Sequence, residues 1–236
     1  DAPVDLSAPY TVPDMTGSNP QVSLTLSVTA AGNAAAFWSD VDGLVHLSHY
    51  DAATGQWTQR NPTGVPGANV GSVFALDGTG QAWHAQVAGA GLAVYSLATG
   101  AQDWTLRGVL DPSLSTPETP LRMGADAQGN VVLVWACRDC PDALPDALHA
   151  PLYGTRYDVA SGTWRAPERL DAAPGTAGFT HMEDFQLRVN AVGDAALVWS
   201  HTTSLSPTGA PQMLRVHARH LAAGSGAWEP ITPLAP

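Results

Sequence analysis

Two cysteines three positions apart, Cys137 and Cys140 in the run ACRDCP, form the most reactive pair in this 236-residue chain. A redox pair wants a helix N-terminus to stabilise its thiolate. A structural zinc wants two more ligands close by, and His149 is the obvious candidate in the same loop. A plain disulfide is therefore the expected reading, contributing about 2 kcal/mol by loop entropy.

Acids and imidazoles gather around that pair. Asp139, Asp142, Asp146 and His149 fall in one insertion, with Arg138 as its clear base; His181, Glu183 and Asp184 share a second stretch, and His201 a third. Carboxylates and imidazoles on one surface suit either Ca2+ or another divalent cation or a basic partner protein. Protein docking is the leading reading, with no resident cofactor, and cation binding is subordinate. Asp40-Val41-Asp42-Gly43 opens like a calcium loop but lacks the later acidic ligand, so a hairpin turn explains it. His46 and His49 precede Trp57 at the same offsets at which His217 and His220 precede Trp228. Strand residues three apart face opposite sides, so neither pair chelates one metal from a regular strand.

Catalytic signatures are missing: the sequence has no G-x-S-x-G, H-E-x-x-H, phosphate-binding loop or dinucleotide fingerprint. The expectation leans away from an enzyme. Paired-carboxylate sugar hydrolysis follows no spacing rule, and Asp111, Glu118, Glu183 and Asp184 are the acids for it, with Phe179 and Tyr153 as aromatic platforms. A carbohydrate-binding or carbohydrate-active protein is the alternative.

The elements that must position these groups come from a repeat. Gly32–Trp57 recurs as Gly80–Trp104, Gly129–Trp164 and Gly193–Trp228, each copy holding two of the eight tryptophans. A short apolar or alternating run (Val22–Val28, Ser72–Leu76, Leu121–Ala125, Phe185–Val189) leads into a glycine turn. A second run ends on the first tryptophan, and a third leads to a second turn, the second tryptophan and a Pro-terminated fourth strand. Glycine beside Asn or Asp supplies the positive φ of a tight turn. Four short strands per copy predict an all-β propeller of four four-stranded blades, because a single small sheet cannot bury both its faces alone. The tryptophans read as inter-blade core. The whole chain 1–236 is then one domain, with repeats at about 20–66, 67–117, 118–178 and 179–236. Residues 1–19 supply an extra strand or the one that closes the ring. Antiparallel order puts the acid-bearing insertions on one face, which is the expected binding surface.

YDAATGQW (Tyr50–Trp57) and YDVASGTW (Tyr157–Trp164) resemble the Tyr-Asp-x-x-Thr-x-x-Trp segment of kelch-type propeller repeats. The Asp126–Trp135 run resembles repeats of bacterial secreted propeller proteins. These resemblances imply a fold and carry no functional residues.

Charge narrows the partners. The chain has no lysine; ten arginines against 21 acids give a net charge of -11. That balance argues against nucleic acid and against anionic membranes. No run is long and apolar enough to span a bilayer, and the opening DAPVDLSAPY reads as that of a processed chain. Sparse charge, Gly/Pro-rich β repeats and a cysteine pair fit an extracytoplasmic setting, periplasmic or secreted.

Overall fold

The computed structural model describes residues 24–39, 45–60, 72–87, 91–111, 120–137, 151–171, 179–204 and 212–235. All regular structure in them is β. The first sheet runs β1 (Leu24–Val28), β2 (Ala34–Ser39), β3 (Val45–Asp51), β4 (Gln56–Arg60). The second runs β5 (Val73–Leu76), β6 (Ala82–Val87), β7 (Leu92–Leu97), β8 (Thr105–Val109). In the third, β9 (Leu121–Ala125), β10 (Val131–Ala136) and β11 (Leu152–Asp158) precede an outer strand in two pieces, β12 (Thr163–Trp164) and β13 (Glu168–Arg169). The fourth follows the same plan with β14 (Phe179–Val189), β15 (Ala195–Ser204), β16 (Gln212–Ala222), β17 (Ala227–Trp228) and β18 (Thr232–Ala235). Pro167 and Pro230 sit in the two breaks, where a residue without an N–H interrupts the ladder.

Every pairing is antiparallel and sequential, as the four-bladed reading requires. Both expected glycine turns form. Gly32, Gly80, Gly129 and Gly193 have φ between 83 and 98°, and Gly55, Gly100, Gly162 and Gly226 repeat the device at the second turn.

Three apolar layers join the four sheets. Ala35, Phe37, Val45 and Leu47 of the first meet Phe74, Leu76, Ala82, Leu97 and Trp104 of the second. Trp83, Ala85 and Val94 of the second meet Leu121, Leu133, Trp135 and Tyr157 of the third. Val132, Val134 and Leu152 of the third meet Phe185, Leu187, Leu197 and Trp199 of the fourth. The turns are linked as well: the Gly78 amide donates to the Asp126 carbonyl and the Ala127 amide to that of Ala191, both at 3.0 Å.

Gly124 permits a close approach of the third and fourth sheets. A Cβ there would lie 2.6 Å from Cγ2 of Val189 and 3.0 Å from its Cβ, in the neighbouring sheet. Gly124→Val should therefore cost about 2–3 kcal/mol by overpacking, read by urea unfolding; an unchanged midpoint would show that the sheets separate freely.

Two expectations need correction. Trp83 is not the counterpart of the other first tryptophans. Counted from the turn glycine, Trp38, Trp135 and Trp199 are the sixth residue, where the second sheet has Gln86, whereas Trp83 is the third. Third and sixth positions face opposite sides of a strand, so Trp83 packs toward the third sheet and Trp135 back onto the second.

The second correction concerns the fourth sheet. The insertion after Trp199 and the stretch before Phe185 read as loops, yet they extend the ladder. Thr180 pairs with Thr203, His181 with Thr202, and His201 with Arg215. Glu183 is the extra residue of a bulge between Met182 and Asp184.

The fourth sheet takes all its strands from residues 179–235, so the expected closing strand, residues 1–19, is not needed to complete it; that segment lies outside the described residues. Among the described residues no sheet covers the far side of β1, where Leu24, Leu26 and Val28 are 73, 64 and 61% exposed.

Candidate functional site: the axial cavity

The innermost strands β1, β5, β9 and β14 surround a cavity of about 610 Å³. A propeller's first strands lie nearest the axis, so residues of all four can border one cavity there. Its polar lining is Thr25, Ser27, Ser72, Arg122 and Arg188, and no carboxylate is among the described residues that line it. Leu26, Phe74, Met123 and Leu187 add apolar surface.

The two arginines are held differently. The Arg122 guanidinium donates to the Leu121 carbonyl at 2.8 Å and to Asp184 Oδ1 at 3.3 Å, and lies 5.2 Å from the centre of the Phe185 ring. That brace fixes its position. Arg188 donates to the Leu187 carbonyl at 2.8 Å and is exposed. The Ser27 hydroxyl oxygen accepts the Leu76 amide at 2.9 Å, which leaves its own proton to donate. The cavity thus offers Arg188, the Arg122 half of an ion pair with Asp184, and several hydroxyls, a donor-rich setting for an oxygen-rich ligand.

These residues went unremarked in the sequence reading. Arg122 and Arg188 were visible as the charged residues within LRMGA and FQLRV, the runs that become innermost strands.

The residues singled out beforehand are not gathered here. Asp139, Asp142, Asp146, His149 and Cys140 lie outside the described residues, as does the insertion bearing them; Cys137 is buried just past the end of β10. His181 and Glu183 fall on the extended part of β14, and Asp184 beside them is exposed and braces Arg122. His201 stacks on His217, ring centres 4.7 Å apart and nearly parallel.

The repeated histidines have a packing role. His46 stacks on Trp38 at 5.4 Å and His217 on Trp199 at 5.5 Å, at the place where Tyr153 stacks on Trp135 at 6.1 Å. Burial and the neighbouring Arg215 push the His217 pKa below its ordinary value. His220 faces away and meets Glu229 at 3.1 Å. Among the described residues no three His, Cys, Asp or Glu side chains converge as metal ligands.

The Asp-x-x-Gly turns are structural too. Asp77 Oδ1 accepts the amides of Thr79 and Gln81 and the Thr79 hydroxyl, and Oδ2 accepts the Trp83 indole N–H at 2.8 Å. Asp126 accepts the amides of Gln128 and Asn130. In the fourth sheet Asn190 takes that place, and Asp194 accepts the Ala223 amide at 2.9 Å, a bond that lowers the Asp194 pKa.

No family model matches the chain, and no curated relative does. Solved structures do match. The α-L-arabinanase of Penicillium chrysogenum, complexed with arabinobiose, superposes with a TM-score of 0.54 at 12% identity over 95% of this chain and 69% of its own. A protein of unknown function from Dyadobacter fermentans gives 0.52 at 11%, over 92% and 71%. A polysaccharide lyase, an ulvan lyase bound to -[GlcA(1-4)Rha3S]-, gives 0.52 at 9% identity; 85% of this chain is covered, but the match spans only about half, 52%, of that lyase. At such identities the likeness is one of fold: the chain is built as a β-propeller.

Proposed function

We propose that this chain is a carbohydrate-binding β-propeller that takes an acidic saccharide in its axial cavity. The observation that carries the reading is the pair Arg122 and Arg188, with Thr25, Ser27 and Ser72, around a cavity that no carboxylate lines among the described residues, Asp184 reaching it only as the partner of Arg122. Guanidinium groups recognise planar carboxylate and sulfate oxygens through paired N–H donors, and hydroxyls exchange hydrogen bonds with sugar hydroxyls. Two structural neighbours support the class of ligand: one was solved with arabinobiose and the other with a sulfated glucuronate–rhamnose repeat. The reading is of binding, carried by hydrogen-bond donors in the lining. An extracytoplasmic location accords with a polysaccharide ligand.

Calorimetry with the sulfated glucuronate–rhamnose oligosaccharide and with arabinobiose tests it. The acidic sugar should bind and the neutral one bind far more weakly. Arg188→Ala should lower affinity about tenfold, and added salt should weaken binding because the site is open to solvent. Equal binding of both sugars, or an unchanged affinity in Arg188→Ala, would count against it.

A second reading keeps a basic protein partner docking on the face that the sequence reading assigns to Asp139, Asp142, Asp146, His149, His181, Glu183, Asp184 and His201, of which the first four lie outside the described residues. The extension of β14, β15 and β16 beyond the length of the other strands favours it, because it enlarges that face.

A further inference from the structure

A second cleft opens between the outer strands of the third and fourth sheets. It holds about 240 Å³, and Arg156, Arg165, Glu168, Leu221, Ala227 and Trp228 line it. None of these residues borders the axial cavity. Register shows why the cleft is open. At the junction of the second and third sheets, Gly108 pairs with Val94, and Val94 with Ala85, the fifth residue after the turn glycine Gly80. In the third sheet Glu168 pairs with Gly154, and Gly154 with Val134, the fifth residue after Gly129. Glu168 therefore stands where Gly108 stands. Gly108 lies on the next sheet's second tryptophan: a Cβ there would be 3.3 Å from Trp164 Cδ1, and the Trp164 indole N–H is buried without a partner. In the third sheet the outer strand is broken at Pro167 before Glu168, and the matching tryptophan, Trp228, borders the open cleft instead.

The cleft holds unused hydrogen-bonding groups of both kinds. The Glu168 carboxylate and the Trp228 indole N–H make no hydrogen bond among the described residues. The Arg165 guanidinium donates through Nη1 to the Gly226 carbonyl at 2.6 Å, which fixes it across the junction and leaves Nε and Nη2 to donate. Arg219 steadies the strand that bears the indole, donating to the Glu229 carbonyl at 2.7 Å and to that of Trp228 at 3.5 Å.

We propose that this cleft, with Glu168 and Arg165 set beside the Trp228 ring, is a separate binding site for one uncharged sugar ring. Its volume lies below the about 300–1,000 Å³ of pockets for drug-sized ligands, which limits it to a single ring. Charge selects the class. An anion meets the unpaired Glu168 carboxylate, and a cation meets Arg156 and Arg165, so either is disfavoured. A neutral sugar meets neither penalty. Its hydroxyls donate to the carboxylate and accept from the guanidinium and the indole N–H, while its C–H side packs on the indole, Leu221 and Ala227. The site does not depend on what the axial cavity holds.

Two-dimensional NMR of the intact 236-residue chain tests this, because each tryptophan gives its own indole N–H signal. No tryptophan lines the axial cavity, so the Trp228 signal, identified as the one that Trp228→Phe removes, reports on this cleft alone. The probes are D-glucose and D-galactose, with glucuronate and galacturonate as their charged counterparts. At least one neutral sugar should move the Trp228 signal saturably at millimolar concentration, and its uronate should move it far less. Glu168→Gln should weaken the neutral sugar about fivefold and bring the uronate close to parity with it, with the other indole signals in place. A Trp228 signal that neither neutral sugar moves overturns the proposal. So do equal shifts by a sugar and its uronate in the parent chain, or an unchanged affinity in Glu168→Gln.

Discussion

Asp77→Ala is expected to lower the unfolding free energy by about 3–4 kcal/mol, among the largest single effects in the chain. Its carboxylate is fully buried and satisfies two backbone amides, one hydroxyl and the indole N–H of Trp83, itself 0% exposed. Alanine strands the indole N–H in the layer between the second and third sheets, where water does not replace the lost acceptor, and removes the anchor of the part-buried Thr79 and Gln81 donors. The turn also lies against the third sheet: a Cβ on Gly129 would be 3.3 Å from Asp77 Oδ2. The loss therefore loosens a sheet junction as well as a hairpin. Asn190→Ala removes the equivalent group from an exposed turn and should cost about 1 kcal/mol. Urea unfolding of the two variants checks the contrast. Equal small losses would mean that the buried carboxylate contributes no more than an ordinary surface turn.

That role was only half legible in the sequence. The recurring glycine at Gly80 and Gly129 announced a turn, and their positive φ agrees with it. It did not announce the reach of Asp77 Oδ2 to Trp83, because that bond exists only where a tryptophan replaces the alanine or valine found at the same position in the other sheets. Tryptophan spacing gave four sheets correctly because indoles at recurring positions are what sheet-on-sheet packing selects. The same regularity hid the displacement of Trp83, since counting tryptophans does not register which face each occupies. A change of three residues reverses the face and alters nothing in a tally.

The candidate site was harder to see for a related reason. Loop acids such as Asp139 and Asp142 stand out in a sequence because they cluster along it. The axial cavity draws Thr25, Ser27, Ser72, Arg122 and Arg188 from four separated strands, and only convergence on an axis brings them together. The resemblance to kelch-type repeats rested on Tyr50–Trp57 and Tyr157–Trp164. Those residues form the ring pair that closes the outer hairpin, a contact that any propeller of this strand order can use. It points to architecture, and the comparisons with solved propellers agree at that level.

His84 should make the fold acid-sensitive. It occupies the position held by Ala36, Leu133 and Leu197 in the other sheets, is 0% exposed, and lies against the rings of Phe74 at 4.5 Å, Trp104 at 5.8 Å and Tyr95 at 6.0 Å. Burial pushes its pKa down to about 3, because a charged imidazole in that aromatic box has lost its water. In the unfolded chain it titrates near the ordinary value of about 6.5. Between those two values the unfolded state binds a proton that the native state refuses. Stability is therefore unaffected by His84 above pH 6.5 and declines as pH falls through the window, by about 1.4 kcal/mol per pH unit. At pH 5 the loss is about 2 kcal/mol. His84→Phe keeps an aromatic ring in the box and removes the titration. Its unfolding free energy, measured in urea at pH 7.5, 6 and 5, should fall less steeply than that of the parent by that amount, since every other group titrates alike in both. Parallel pH curves for the two proteins would show that His84 is hydrated or already charged in the native state.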